Sequence, residues 1–233
     1  MNKLPPIILA LDTPDIEIAK SWIKATHGYI AAYKLGLEFF SRHGAQGVRS
    51  IQESTDIDLF LDMKLHDIPN TVGSASEQLA LLNPRFLTVH ASGGHEMIAS
   101  AAKKAPKVDI TAVTILTSLD SQELKEVGFA QPPLESAINL ARLATQAGAK
   151  AIVCSPLEIS GIRQAVGDKF TIIAPGVRPK SSAADDQART LDPRSAINAG
   201  ANYLVIGRPI TSYWAEGANK MRERAQEIAQ EVI

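Results

Sequence analysis

Short apolar runs alternate with amphipathic stretches along the chain. The runs are rich in β-branched and aliphatic residues and are nearly continuous, which is typical of parallel strands covered on both faces. Eight of them predict strands, at Ile7–Leu11, Ala31–Leu35, Asp58–Met63, Phe86–Val89, Val108–Ile115, Ala151–Cys154, Phe170–Ala174 and Tyr203–Ile206. The pattern therefore predicts a sheet of eight strands in which most strands are fully buried.

The stretches between these runs predict helices. They lie at Asp15–Thr26, Leu37–Glu53, Asn70–Leu82, Gly94–Ala105, Ser118–Gly128, Pro133–Ala147, Pro156–Val166, Pro193–Ala199 and Pro209–Val232. Gly148, Gly167 and Gly200 follow three of the predicted helix ends, as helix-terminating glycines do. Eight strand–helix units favour a (β/α)8 TIM barrel over a doubly wound sheet. No linker or low-complexity tract divides the 233 residues, so we expect one domain over residues 1–233.

Composition narrows the classes of partner and compartment. A formal net charge of −1 gives no reason to expect nucleic acid or a charged membrane surface as a partner. No segment approaches the roughly 18 apolar residues that cross a bilayer, and the amino terminus lacks a signal-peptide layout. Cys154 is the single cysteine, so no internal disulfide can form and a reducing compartment suits the chain. We expect a cytosolic protein.

In a (β/α)8 barrel the active site is built where the strands end, from the loops that follow them. The predicted strand ends carry Asp12, Lys34, Asp62 with Lys64, His90, Thr117, Ser155, Arg178 and Gly207-Arg208. Folding alone does not require charged groups at so many of these positions. His90 and Ser155 each stand alone at a strand end, and we interpret both as structural. The five histidines have no spacing that suggests a zinc site.

The most informative stretch runs from Asp62 to Thr71, directly after a buried apolar strand. Strand side chains alternate faces, so Asp62 and Lys64 are expected on the same side, with Asp67 following within one turn. Two close carboxylates cannot both ionise cheaply unless a cation sits between them, and Lys64 is positioned to be that cation. An isolated Asp-x-Lys is more often a structural ion pair. The other polar strand ends favour a functional acid–base–acid cluster here.

Two segments look suited to an anion. Gly207 and Arg208 follow the last strand and open the last predicted helix, where backbone N–H groups and a forked guanidinium favour phosphate. The loop after the seventh strand, residues 175–187, is long and polar. Phosphate sites in such barrels typically use the loops after strands seven and eight. A solvated loop beside a helix cap is the alternative, but the two segments together predict a phosphate site.

Seven motifs, in order, resemble the orotidine 5′-phosphate decarboxylase family. They are Leu11-Asp12, Tyr33-Lys34-Leu35-Gly36, Leu61–Thr71, Val89–Gly94, Thr114–Ser118, Pro175–Pro179 and Ile206–Thr211. The resemblance extends from about Ile7 to the last helix, with no departure at a position that the family uses for chemistry. It implies conversion of orotidine 5′-monophosphate to uridine 5′-monophosphate and CO₂ in de novo pyrimidine biosynthesis, with no metal and no organic cofactor.

The resemblance also implies a role for each site residue. Lys64 would protonate C6 of the pyrimidine, within an alternating array of Lys34, Asp62 and Asp67. The substrate contacts would be Asp12 and Lys34 for the ribose, Asp62 for the substrate carboxylate, Thr117 and Ser118 for the pyrimidine, Gln187, Gly207 and Arg208 for the phosphate, and Arg178 at the base of a closing loop. A homodimer with shared active sites is implied as well, in which Asp67, Ile68 and Thr71 reach the neighbouring subunit's pocket.

Two other functions compete with this one. A sugar-phosphate decarboxylase or aldolase resembling 3-keto-L-gulonate 6-phosphate decarboxylase would use the same barrel and Mg²⁺. That group has an acidic residue where this chain has Lys34, and a lysine there repels a hard cation that needs oxygen ligands. A catalytically silent nucleotide-binding protein would keep Gly207 and Arg208 but has no need for Lys64 between two aspartates.

Overall fold

Eight parallel strands close into a barrel in the computed structural model, which describes residues 4–179 and 191–233. The strands are β1 (Ile7–Ala10), β2 (Ala32–Leu35), β3 (Asp58–Leu65), β4 (Phe86–His90), β5 (Asp109–Val113), β6 (Ala151–Val153), β7 (Thr171–Ala174) and β8 (Tyr203–Ile206). They pair in chain order, and β8 pairs with β1 to close the barrel, with Leu204 opposite Ile7. The (β/α)8 prediction is confirmed, and β8 has the predicted bounds.

Helices follow the strands and surround them. They are α1 (Ile16–Thr26), α2 (Leu37–Gln52), α3 (Pro69–Ala80), α4 (His95–Lys104), α5 (Ser121–Glu126), α6 (Pro133–Gln146), α7 (Ile159–Val166), α8 (Pro193–Asn198), α9 (Arg208–Thr211) and α10 (Ala218–Val232). The single helix predicted over 209–232 is wrong, because a 3₁₀ segment at Ser212–Glu216 and then Gly217 separate α9 from α10. Gly217 has φ +113°, a conformation that a glycine adopts without steric cost and that stops the helix. No helix in the described residues is both long and apolar enough to cross a membrane.

The apolar residues form two layers because each strand is buried on both faces. One set of side chains fills the barrel itself: Ile8, Ala10, Ala32, Phe60, Phe86, Ala151, Ile173 and Val205. The alternate residues of the strands, such as Leu9, Tyr33 and Leu61, belong to the larger cluster between the strands and the helices. This double burial explains why the strands read as continuous apolar runs and not as alternating ones.

Toward the carboxyl ends of the strands, the barrel interior changes from apolar to polar. Polar or charged residues occupy the next inward-facing positions, which lie two residues beyond Ala32, Phe60 and Phe86. These residues are Lys34 on β2, Asp62 on β3 and Thr88 on β4. A polar layer therefore covers the apolar core at this end of the barrel.

Strand β3 is irregular within this layer. Leu61 lies opposite Leu87 and Leu65 opposite Val89, so β3 advances four residues while β4 advances two. Lys64, within this bulge, has φ +46°, which is rare for a residue other than glycine. The strand also extends two residues beyond the predicted end at Met63. Simple alternation along a straight strand, as expected from the sequence, is therefore not the reason that Asp62 and Lys64 come together.

Candidate active site

Two adjoining cavities open at the carboxyl ends of the strands. The first, the Lys64 cavity, has a volume of about 150 Å³ and is lined by Lys34, Phe60, Asp62, Lys64, Val113, Ile115, Leu116, Thr117, Val153, Pro175 and Val205. The second, the Arg208 cavity, has a volume of about 200 Å³ and is lined by Ala10, Asp12, Lys34, Pro175, Gly176, Arg178, Val205, Gly207 and Arg208. Because Lys34, Pro175 and Val205 line both, the cavities form one cleft with two arginines at one end.

Charged groups converge on Asp62 inside this cleft. The Lys64 ammonium donates to both carboxylate oxygens of Asp62, with Nζ 2.8 Å from Oδ1 and 2.9 Å from Oδ2. Lys34 Nζ lies 3.5 Å from Asp62 Oδ2 and 3.3 Å from Asp12 Oδ1. The result is an alternating chain of charges, from Asp12 through Lys34 and Asp62 to Lys64. The structure therefore brings together four of the residues that the sequence analysis proposed for the site.

Asp62 is held in its ionised form. Its side chain is only 12% exposed, and burial by itself opposes the charged carboxylate. The positive charges of Lys34 and Lys64, with hydrogen bonds from Lys64 and Thr88, outweigh that burial and lower the pKa of Asp62. At neutral pH the carboxylate is therefore a fixed negative charge against the Lys64 ammonium.

Asp67 does not join this array within one chain. Its side chain is exposed, and its Oδ1 accepts a hydrogen bond from the backbone N–H of Ile68 at 2.7 Å. Among the described residues, the acidic partner of Lys64 is Asp62 and not Asp67, so the expected three-membered cluster is absent from a single chain. Ile68 and Thr71 are also exposed, and neither lines the Lys64 cavity.

The other end of the cleft is basic. A Cβ on Gly207 would lie 3.3 Å from the Ala10 Cβ, so glycine lets the end of β8 approach β1 closely. Arg208 is exposed and Arg178 is half-buried, and both line the Arg208 cavity. The long final helix expected here is only the four-residue α9, so the arginines, more than a helix dipole, supply the positive charge.

Thr117 and Ser118, the proposed pyrimidine contacts, differ in their position relative to the cavity. Thr117 lines the Lys64 cavity, whereas the neighbouring Ser118 is exposed and lies outside the lining. Gln187 lies outside the described residues.

Thr88 and the two histidines near the cleft were not proposed as site residues. The Thr88 hydroxyl, buried on β4, donates to Asp62 Oδ1 at 3.0 Å. The rings of His66 and His90 pack together with centroids 5.4 Å apart. Burial, followed by the positive fields of His66 and Lys64, lowers the pKa of His90. His90 was identified from the sequence as a strand-end residue and interpreted as structural, whereas the inward register of β4, two residues beyond Phe86, is the sequence signal that could have located Thr88.

The two residues that follow β6, Cys154 and Ser155, have surroundings typical of a structural role, which for Ser155 is the interpretation made from the sequence. Cys154 is buried, and burial raises the pKa of its thiol, which disfavours the nucleophilic thiolate. Ser155 caps a short 3₁₀ turn: its Oγ accepts from the Leu157 N–H, and its own N–H donates to Glu158 Oε2. Within residues 4–179 and 191–233, no three His, Cys, Asp or Glu side chains are grouped to hold a metal ion.

Comparison with known proteins identifies the family. The model of the orotidine 5′-phosphate decarboxylase / HUMPS family matches residues 5–223. The chain belongs to this family. A family member named orotidine 5′-phosphate decarboxylase, from Thermobifida fusca, is 48% identical over 206 residues, which are 88% of each chain. Another of the same name, from Wolbachia pipientis subsp. Culex pipiens, is 45% identical over 208 residues, which cover 88% of this chain and 91% of that protein.

A solved structure agrees with these relatives. The crystal structure of orotidine 5′-phosphate decarboxylase from Lactobacillus acidophilus superposes with a TM-score of 0.81 at 32% identity, covering 96% of this chain and 98% of that one. The names of these relatives give no support to the sugar-phosphate enzyme or to the silent binding protein.

Proposed function

We propose that this protein is an orotidine 5′-phosphate decarboxylase, a carboxy-lyase that forms uridine 5′-monophosphate and CO₂ in pyrimidine biosynthesis. Family membership and the relatives of that name give the reaction. The observation that carries its assignment to this cleft is the ionised Asp62 paired with Lys64 at 2.8 Å in a cavity that continues to two arginines. The reaction needs a proton donor at one end of its substrate and a phosphate grip at the other.

Lys64 supplies the proton in this scheme. Loss of CO₂ from C6 leaves an electron pair in the plane of the pyrimidine ring, with no adjacent carbonyl to delocalise it. An ammonium beside C6 stabilises that developing charge and then donates its proton to C6, forming the C6–H bond. The neutral amine then takes a proton from solvent, which reaches a side chain that is 31% exposed.

Asp62 acts on both the acid and the substrate. As an ionised neighbour it accepts two hydrogen bonds from the Lys64 ammonium and fixes its direction. The substrate carboxylate, bound beside it, meets a second negative charge. The repulsion between the two carboxylates raises the free energy of the bound substrate relative to the transition state, because departure of CO₂ relieves it.

The remaining site residues follow the order of the substrate's parts along the cleft. Thr117 contacts the pyrimidine, beside the apolar Ile115 and Leu116 of the Lys64 cavity. Ser118, which lies outside that lining, is a pyrimidine contact by resemblance to the family only. Asp12 and Lys34, near the junction of the two cavities, bind the ribose hydroxyls. The phosphate contacts are Gly207, Arg208 and, by resemblance to the family, Gln187, with Arg178 at the base of the closing loop. The remote phosphate supplies binding energy that can be used at the reacting carbon.

A homodimer completes each site in this proposal. Ile68 is 66% exposed, an unusual position for a large apolar side chain, and it adjoins the exposed Asp67 and Thr71 at the start of α3. These three residues enter the neighbouring subunit's pocket, where Asp67 becomes the second carboxylate beside Lys64. We infer further that residues 1–233 form one domain, and that the enzyme is cytosolic, in keeping with a single buried cysteine.

Lys34 argues against the magnesium-dependent reaction. Its ammonium lies between the carboxylates of Asp12 and Asp62, within 3.5 Å of each, in the place where a bridging cation would bind. A metal there would have to displace a buried ammonium. We therefore propose that the enzyme uses no metal and no organic cofactor.

One assay tests the function. Purified protein is mixed with orotidine 5′-monophosphate, and the loss of orotidylate absorbance is followed with and without EDTA. We expect the same rapid loss under both conditions. A rate that collapses in EDTA would overturn the metal-free scheme. No loss of orotidylate would overturn the proposed function, and with demonstrated nucleotide binding it would favour the silent binding protein.

A further inference from the structure

A single buried hydroxyl joins the two halves of the β3 bulge. Thr88 Oγ1, on the adjacent strand β4, accepts the backbone N–H of Lys64 at 2.7 Å and donates to Asp62 Oδ1 at 3.0 Å. Thr88 itself is fully buried. One side chain therefore contacts the backbone of the proposed acid and the carboxylate that holds its ammonium.

The two hydrogen bonds of Thr88 depend on one another. A threonine hydroxyl has one proton to donate and two lone pairs that accept. Because one lone pair takes the Lys64 N–H, the proton remains available for an acceptor, and Asp62 provides it. The hydroxyl is thus oriented by the backbone of Lys64 and stabilises the ionised form of Asp62.

The contact with Lys64 also compensates for an unusual backbone. At φ +46° Lys64 leaves the regular ladder, and an N–H buried at this point without a partner would be costly. The hydroxyl supplies that partner. It also holds the conformation in which the Lys64 side chain returns to both oxygens of Asp62.

We propose that Thr88 is a positioning residue for the decarboxylation, whose hydroxyl fixes the β3 bulge and Asp62 so that the Lys64 ammonium is aimed at the substrate. This inference rests on the proposed function. Thr88 does not touch the reacting atoms in this scheme and acts through Asp62 and Lys64. Its loss should therefore affect kcat and the pH profile more than KM.

The charged surroundings of Asp62 define the expected pH effect. Lys34 on β2 and Lys64 on β3 face the carboxylate, with Asp12 beyond Lys34 and His90 on β4. All of these remain when the Thr88 hydroxyl is removed. The carboxylate stays buried but loses a hydrogen bond to its charged form, so its pKa rises. The acidic limb of kcat should then move to higher pH.

The test compares two variants of Thr88 with a matched control. Thr88→Val keeps the β-branched shape and removes the hydroxyl, whereas Thr88→Ser keeps the hydroxyl. We expect Thr88→Val to lower kcat about tenfold or more, equivalent to about 1.4 kcal/mol in the barrier, with KM nearly unchanged. Thr88→Ser should retain most of the wild-type kcat. The control is Thr111→Val, because Thr111 is the buried neighbour of Thr88 across the β4–β5 ladder and its hydroxyl donates to the Asp109 carbonyl, away from the cleft.

Each outcome bears on the proposal separately from the assay of function. Wild-type kcat and an unshifted acidic limb in Thr88→Val would overturn the role of Thr88 while leaving the decarboxylase activity in place.

If the wild type is inactive, the pKa of Asp62, read from its carboxyl ¹³C resonance, tests whether Thr88 stabilises the ionised carboxylate. This pKa should rise in Thr88→Val, and an unchanged value overturns the inference. If thermal unfolding shows that Thr88→Val does not fold, Thr88→Cys takes its place, and wild-type kcat in that variant would overturn the proposal.

Discussion

Asp62 is the residue on which the other charges of the cleft converge. A carboxylate that is 12% exposed would, without neighbours, favour its neutral form. Two ammonium groups and a hydroxyl reverse that preference and lower its pKa. The consequence for Lys64 follows directly: its ammonium is positioned against a charge that does not titrate near neutral pH.

Replacing Lys64 with alanine should abolish decarboxylation while leaving the fold intact. The change removes both the proton donor and the ammonium that is hydrogen-bonded to both oxygens of Asp62, so the loss falls on kcat. Steady-state kinetics and circular dichroism measure the two effects. Lys103→Ala is the control, because Lys103 is an exposed lysine near the end of α4. If Lys64→Ala kept more than about a tenth of the wild-type kcat, the assignment of Lys64 as the acid would be wrong. A tenfold fall in kcat corresponds to an increase of roughly 1.4 kcal/mol in the activation barrier.

Replacing Arg208 with alanine should distinguish substrates by their phosphate. The variant loses a forked contact that exists only with a phosphorylated substrate, so kcat/KM for the nucleotide should fall about a hundredfold or more. A substrate without the phosphate should be converted almost as well as by the wild type. Arg222→Ala, at an exposed position of α10, controls for the general loss of a positive charge. Equal losses on both substrates would mean that Arg208 supports the fold.

Among the individual residues, the charged side chains of the cleft were easier to predict from the sequence than the uncharged Thr88. Charged side chains at strand ends are conspicuous beside apolar strands, which is how Lys34, Asp62 and Lys64 were found. Thr88 is not conspicuous, since a buried threonine inside a strand is ordinary. Its contacts with Asp62 and Lys64 depend on the register between two strands, and that register is a long-range property of the barrel.

Among the elements, the strands were predicted best. Continuous apolar runs gave all eight strands, because double burial in a parallel barrel leaves a strong signal in each. The bulge in β3 left no such signal, since it is defined by pairing with β4 and by a hydroxyl on that strand. The division between α9 and α10 was missed although Gly217 marks it, because the apolar periodicity continues on both sides of the glycine.

Arg163 on α7 should matter for the fold and not for the chemistry. The Arg163 side chain is 15% exposed. Its guanidinium donates hydrogen bonds to the carbonyls of Gly167, Phe170 and Gly200 and to Asn202 Oδ1. These groups lie in the loops before β7 and β8, at the opposite end of the barrel from the cleft. One side chain therefore joins the entries of two adjacent strands to the end of α7.

Arg163→Met should lower the free energy of unfolding by about 3 kcal/mol, because three backbone carbonyls and the Asn202 amide oxygen lose a charged donor. For a chain of this size that corresponds to a fall in Tm of roughly 6–12 °C, measurable by calorimetry. The kcat of the folded variant should equal that of the wild type. Arg142→Met, at an exposed position of α6, should leave Tm nearly unchanged. An unaltered Tm in Arg163→Met would mean that water replaces the guanidinium at these carbonyls.

For the whole molecule, a single barrel provides a nearly complete cleft. Within one chain the cleft has Lys64, its carboxylate partner Asp62 and the basic end. Among residues 4–179 and 191–233 it lacks the second carboxylate that the sequence pattern predicted, because Asp67 faces outward beside the exposed Ile68. The sequence could place these residues close to Lys64 along the chain, but the direction of Asp67 is fixed by the turn that follows the bulge. The proposed second subunit, related by two-fold symmetry, would supply that carboxylate, since the same surface would then serve both sites.

Complementation between inactive variants tests that arrangement. If Asp67 serves the neighbour's pocket, mixing Asp67→Ala and Lys64→Ala chains under conditions of subunit exchange should restore activity. A mixed dimer has one pocket with both residues intact and one with neither. For an equal mixture, about half of the dimers are mixed and each has one good site of two, so activity should approach roughly a quarter of the wild-type value.

The control mixes Lys64→Ala with the double variant Lys64→Ala, Asp67→Ala, in which every pocket lacks the acid, and it should stay inactive. Subunit exchange is verified by mass spectrometry of differently tagged chains, and sedimentation gives the oligomeric state of the free and ligand-bound protein. Exchange without recovery in the test mixture would place Asp67 in its own subunit's site. In that case the outward orientation of Asp67 would have to change when substrate binds, and the pairing of Lys64 would be completed by a movement of the turn before α3 instead of by a second chain.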